Sequence, residues 1–101
     1  MMNKPLIGLD IGTTSVSAVV LDPVTGRNLE VMNKIHKAGL PPDGPGANLQ
    51  KPEKLVKIAE ELLGSIRRQF PEIAALGVTG QMHGIVLVDK DGLAVGPAYT
   101  W

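Results

Sequence analysis

The sequence predicts a small α/β domain in which a meander of three antiparallel strands leads into one helix, a crossover strand and a further extended pair. Three features predict it. Short apolar runs broken by turn residues fill the first third of the chain, apolar residues recur at three- and four-residue steps from Leu55 to Phe70, and a mostly apolar run from Ala74 to Thr79 follows that helix as a crossover strand does.

Leu6-Ile7-Gly8-Leu9 reads as the first strand, ending at Asp10, and Gly12-Thr13-Thr14-Ser15 as a tight turn. Val16 to Leu21 is the second strand. Asp22-Pro23-Val24-Thr25-Gly26 supplies a turn before a third extended stretch from Asn28 to about Ile35. From Lys37 to Gln50, Gly39, Pro41, Pro42, Gly44, Pro45 and Gly46 oppose both helix and central strand, so a long surface loop is expected.

Pro52 suits the first helical position, where a missing N–H costs nothing. Leu55, Ile58, Ala59, Leu62, Leu63, Ile66 and Phe70 form one apolar stripe, with Glu53 and Lys57 spaced as an ion pair on the outside, and Pro71 ends the helix. Gly64 within it costs about 1 kcal/mol relative to Ala and reads as a tolerated defect. Ala74 to Thr79 reads as a buried strand and Ile85 to Val88 as another. Lys90-Asp91-Gly92 is a hairpin turn into a last extended piece from Ala94 to Tyr99.

With 101 residues, 44% of them apolar, and balanced charge, the composition is that of one small globular body, with an expected radius of gyration of roughly 13 Å. Only 3% of residues are aromatic, so Val, Ile and Leu must form the core, and net stability of roughly 3–5 kcal/mol is expected. There is no basic footprint for nucleic acid. The chain has no cysteine, which excludes disulfides and thiolate metal sites and is consistent with a reducing cytoplasm. The apolar run before Asp10 is too short for a signal peptide, and no run reaches the length of a membrane span. Trp101 closes the chain in an extended segment without a polar tail, so the sequence reads as cut there.

Two constellations carry chemistry. The first is Gly8-Leu9-Asp10-Ile11-Gly12-Thr13-Thr14-Ser15. A phosphate site needs backbone N–H groups and hydroxyls facing phosphate oxygens, with a carboxylate to hold a neutralising metal. Asp10 at a strand end, Gly12 for close approach, and Thr13, Thr14 and Ser15 as donors meet those needs. The glycine spacing matches neither a Walker loop nor a dinucleotide fingerprint. A plain hairpin, in which the same residues satisfy turn backbone groups, is equally compatible.

The second is Gly77-Val78-Thr79-Gly80-Gln81-Met82-His83-Gly84, a polar cluster at the end of a strand, where α/β sheets usually place ligand contacts. Gln81 and His83 can hydrogen-bond sugar hydroxyls and Met82 can pack on a sugar's carbon face. The alternative is a structural loop in which His83 bonds a backbone carbonyl and Met82 fills the core. His36 is isolated in the sequence, Asp89 and Asp91 flank a turn, and Glu60 and Glu61 read as solvated.

In their order and separation, together with the closing Pro97-Ala98-Tyr99-Thr100-Trp101, these motifs resemble the amino-terminal segment of the FGGY carbohydrate kinases, which include xylulokinases, glycerol kinases and sedoheptulokinases. The resemblance covers nearly the whole chain. It implies a ribonuclease H-like (actin-like ATPase) fold, incomplete here: residues 1–101 would be the amino-terminal part of the first domain, with the rest of that lobe and the whole second lobe absent. It implies ATP and Mg²⁺ as cofactors and a ketose or polyol as substrate. Asp10 would act on Mg²⁺ through water, Gly12, Thr13 and Thr14 would face the phosphates, and Gln81, Met82 and His83 would meet the sugar. The general-base Asp of such enzymes lies downstream of Trp101, so no catalytic residue is expected in this segment, and the segment alone is expected to be inactive. An uncovered sheet edge and helix face predict self-association of the isolated chain, with a homodimer as the candidate state of the parent.

Several family members carry Lys or Arg where Ser17 stands, a cation that this chain lacks. Leu49-Gln50-Lys51-Pro52-Glu53-Lys54-Leu55 and Tyr99-Thr100-Trp101 look more like the sedoheptulokinase branch than xylulokinase. Two other functions compete: a non-catalytic sugar-binding relative, marked by sugar binding without ATP turnover, and a chaperone- or actin-type ATPase, marked by sugar-independent turnover. All kinase readings require the Asp10 strand end and the His83 loop to open onto one cleft.

Overall fold

The computed structural model describes residues 4–41, 44, 48–81 and 84–100. Among the described residues, seven strands and one helix follow in the order β1 (Leu6–Ile11), β2 (Ser15–Leu21), β3 (Asn28–Ile35), β4 (Gly39–Leu40), β5 (Asn48–Gln50), α1 (Pro52–Gln69), β6 (Ala75–Gly80) and β7 (Ala98–Thr100). The main sheet has the order β3-β2-β1-β6: β1, β2 and β3 form the antiparallel meander, and β6 returns parallel to β1. The turn at 22–26 closes through Gly26 N–H to Asp22 O at 2.9 Å, with Gly26 at φ +73° and the Asp22 carboxylate accepting from Val24 N–H.

Strand alternation gives the sheet two different faces. Ile7 and Leu9 of β1 and Val16, Ala18 and Val20 of β2 are buried against Ile58, Ala59, Leu62 and Ile66 of α1, whose stripe matches the sequence period. Pro52 occupies the first turn, and Phe70, the residue before Pro71, caps the end with its N–H on Ile66 O. A Cβ on Gly64 would meet nothing nearer than the Arg68 guanidine at 3.9 Å, so this glycine serves no close approach. Among the described residues, the ion pair of the helix is between Glu61 and Lys34 of β3, at 2.7 Å, and not between Glu53 and Lys57. Glu61 is solvent-exposed, as expected, and is also engaged in this pair.

Three expectations change. The segment from Lys37 to Gln50 is not wholly loop: its ends form β4 and β5, which join β7 in a second sheet of order β4-β5-β7. Ala38, Leu49, Gln50 and Ala98 are buried there, and buried backbone must find partners, which the small ladder provides. The strand expected to be buried, β6, is exposed along its length, because it is an edge strand and α1 packs over β2 and β1. The pairing expected around Lys90-Asp91-Gly92 consists of isolated bridges, Ile85 to Tyr99 and Val88 to Ala94. Pro97 lacks the N–H that a continuous ladder requires. Asp89 shapes the turn itself, its carboxylate accepting from Asp91 N–H and Leu93 N–H. The radius of gyration is 15.7 Å and the extents are 55 × 27 × 20 Å, more elongated than a compact chain of this length.

Candidate functional site

Because β1 and β6 are parallel neighbours, their carboxyl ends lie side by side: Asp10 is in register with Thr79, and Ile11 with Gly80. The chain leaves β1 toward β2 on one side while β6 lies on the other, the kind of position where open α/β sheets bind ligands. The Gly12–Ser15 turn and the segment beginning at Gln81 both start there.

The turn is closed by Gly12 N–H donating to Ser15 O at 2.9 Å. A Cβ on Gly12 would stand 3.0 Å from that same oxygen, so a side chain would force the turn open. Every carbonyl from Gly12 to Thr14 is tied back. Gly12 O accepts from His36 Nε2 at 3.0 Å and from Gln81 Nε2 at 3.3 Å, Thr13 O from Gln50 Nε2 at 2.9 Å, and Thr14 O from His36 N–H at 3.1 Å. Thr13 and Thr14 are themselves exposed, and their N–H and hydroxyl groups make no hydrogen bond among the described residues. The turn therefore presents donors outward and keeps its acceptors behind, the polarity an anion requires.

Behind it lies a buried polar network. His36 is 3% exposed and Gln50 7%. Ala38 N–H donates to His36 Nδ1 at 3.0 Å, so Nε2 carries the hydrogen that goes to Gly12 O. Lys37, at φ +50°, makes the reversal that brings Ala38 back onto the imidazole. Gln81 Nε2 donates to Gln50 Oε1 at 2.7 Å, whereas Gln81 Oε1 is buried without a partner among the described residues.

Asp10 is exposed, and its carboxylate makes no hydrogen bond or ion pair among the described residues. It belongs to the sheet face that α1 leaves open, beside an open groove of about 480 Å³ shared with Gly8, Ser17, Val19, Gly77 and Thr79. The Ser17 hydroxyl, in register with Asp10, accepts from Asn33 Nδ2. Gln81 instead lines a second groove with Ile11, Leu55, Val78 and Ala98. The grooves that Asp10 and Gln81 border adjoin each other, both being lined by Val78 and Thr79, and Gln81 bonds to the Gly12 turn that follows Asp10. Met82 and His83 lie outside the described residues.

Sequence reasoning missed His36 and Gln50. The first stands alone in the sequence and the second sits at the end of a proline- and glycine-rich stretch. Neither position reveals a contact 24 or 37 residues away.

Residues 5–101 match the model of the FGGY family of carbohydrate kinases, N-terminal domain. The whole chain aligns at 29% identity with a xylulose kinase of Staphylococcus epidermidis, covering 21% of that protein, and at 30% with a mouse sedoheptulokinase, covering 24% of it. A crystal structure of ligand-bound xylulose kinase from Lactobacillus acidophilus superposes on 98% of the chain with a TM-score of 0.83 at 24% identity, over 20% of its own length, which establishes a shared fold. The chain spans about a fifth of the length of the relatives it matches.

Proposed function

The chain belongs to the FGGY family of carbohydrate kinases, as an amino-terminal part of one, and on that premise we propose that the full-length protein is an ATP-dependent ketose kinase. The observation that carries this reading is the polarity of the 12–15 turn: outward donors on Thr13 and Thr14, carbonyls bound behind, and, just before the turn, the Asp10 carboxylate, which has no partner among the described residues. These residues fit a metal-bound polyphosphate, since the donors suit its oxygens and the carboxylate suits a metal-bound water.

Mg²⁺-ATP, when bound, supplies the transferable phosphoryl group and neutralises its charge. In this reading the Thr13 and Thr14 N–H and hydroxyl groups would hold the phosphate oxygens, Gly12, whose own N–H is committed to Ser15 O, would face the phosphates as the residue without a side chain, and Asp10 would orient metal-bound water. Little covalent chemistry falls to such residues; they position and stabilise charge. Met82 and His83 would meet the sugar, and Gln81, which precedes them in the chain, is held to Gly12 and Gln50. The proton-accepting Asp and the adenosine contacts belong to the remainder of the protein. A cytoplasmic, homodimeric enzyme completes the assignment.

The finer assignment is to a sedoheptulokinase-like enzyme, supported by Leu49–Leu55 and the closing Tyr99-Thr100-Trp101. A xylulose substrate is the second reading, supported by the Staphylococcus epidermidis relative. Steady-state kinetics of the full-length protein with ATP and each ketose decide between them through the ratio of kcat/KM values. ATP turnover that is independent of any sugar would refute the kinase assignment altogether. Sugar binding without turnover would leave a non-catalytic relative.

A further inference from the structure

We propose that Gln50 is a positioning residue that couples the phosphate-facing turn to the loop following β6, so that sugar on the loop and nucleotide on the turn change each other's affinity. This rests on the kinase reading above. Gln50 touches neither ligand in that reading; it acts through two hydrogen bonds made by a single buried amide. Its Nε2 donates to Thr13 O at 2.9 Å while its Oε1 accepts from Gln81 Nε2 at 2.7 Å.

The orientation of that amide is fixed. Reversed, it would set an oxygen against Thr13 O and an NH₂ against the Gln81 NH₂. Its backbone is held too, since Gln50 pairs with Gly39 of β4 and with Ala98 of β7. A displacement of Gln81 is therefore transmitted to the Gln50 side chain and from there to the peptide joining Thr13 to Thr14, whose N–H, that of Thr14, is among the outward donors.

Gln81 has a reason to move. Its Oε1 is buried and has no partner among the described residues, a state that costs free energy until a donor arrives. Turning the amide over does not help, because Oε1 would then face both Gly12 O and Gln50 Oε1. A polyhydroxylated ligand that brings a donor to this oxygen gives Gln81 a second arrangement of different energy. Differential affinity for two arrangements is what coupling requires.

The test is calorimetric binding of the β,γ-methylene analogue of ATP to the full-length protein, with and without a saturating ketose. In the unaltered protein the ketose is expected to change nucleotide affinity by roughly 5- to 150-fold. In Gln50→Leu that factor falls toward unity while each ligand alone still binds. Gln50→Glu keeps the volume and the acceptor for Gln81 but loses the donor to Thr13; its factor also falls, and it serves if the leucine variant fails to fold. A merely structural Gln50 would lower the melting temperature of both variants and leave the factor intact, which overturns the proposal. Absence of coupling in the unaltered protein overturns it as well, without touching the kinase assignment if both ligands bind. Failure of both ligands to bind the unaltered protein removes the kinase assignment and this inference together.

Discussion

The imidazole Nε2 of His36 lies 3.0 Å from the carbonyl oxygen of Gly12, so a side chain just past the end of β3 holds the β1–β2 turn from behind. His36→Leu removes that donor and the acceptor for Ala38 N–H. Gly12 O keeps Gln81 Nε2 at 3.3 Å, but the Ala38 N–H, at a residue 1% exposed, is left without a partner. A loss of about 1–3 kcal/mol is expected. His36→Asn can still accept from Ala38 N–H and should lose less. Urea midpoints of the two variants check the order, and equal midpoints would show that the Ala38 contact contributes nothing.

Asp10 is the reverse case, an exposed carboxylate without partners among the described residues. Asp10→Asn should leave stability unchanged within about 0.5 kcal/mol. In the full-length protein kcat should fall on the order of 10²- to 10³-fold, the usual effect of removing one electrostatic group from a reacting centre. Activity and melting temperature, measured side by side, separate the two effects. A variant that melts early while turning over normally would make Asp10 a turn residue.

The contrast between these residues explains what the sequence could reveal. Local pattern carried the meander, the helix with its limits at Pro52 and Pro71, and the Asp10–Ser15 turn, because spacing and turn chemistry act over a few residues. His36 and Gln50 acquire their roles only once β3 and β5 are brought to the turn, so their meaning is set by topology and not by neighbours in the chain. β6 misled for a related reason: an apolar run predicts burial, yet burial depends on what covers the strand, and α1 lies over its neighbours. The proline- and glycine-rich stretch hid β4 and β5 because strands of two and three residues are too short to show a period.

Hydrogen bonding and charge from Lys34 hold the Glu61 carboxyl below its ordinary range. Since the folded state favours the charged form, this pair stabilises above the unfolded-state pKa, and the contribution is lost as pH falls through the lowered folded value. Both side chains are exposed, so the effect is small and salt-sensitive. Glu61→Gln should therefore melt slightly lower at neutral pH, and the difference should vanish on acidification and shrink in high salt. Melting curves across pH check this; a difference that persists in acid would place the origin in helix packing.

The open sheet face and the β6 edge present apolar side chains to solvent: Val31 is 61% exposed, Val78 62% and Leu76 46%. An exposed edge offers unpaired backbone groups to another strand, and a contiguous apolar face favours association. The 101-residue chain by itself should therefore self-associate, in a manner that depends on its concentration. Val31→Lys on the open face and Val78→Lys at the edge place charges where a second copy would dock, so the double variant should shift toward monomer. Sedimentation velocity over a range of concentrations reads the outcome. A wild-type monomer that melts cooperatively at high temperature would show that these surfaces do not drive association, and an unchanged oligomer in the double variant would place the contact elsewhere, with the apolar arm bearing Ile85, Leu87 and Leu93 next to be altered.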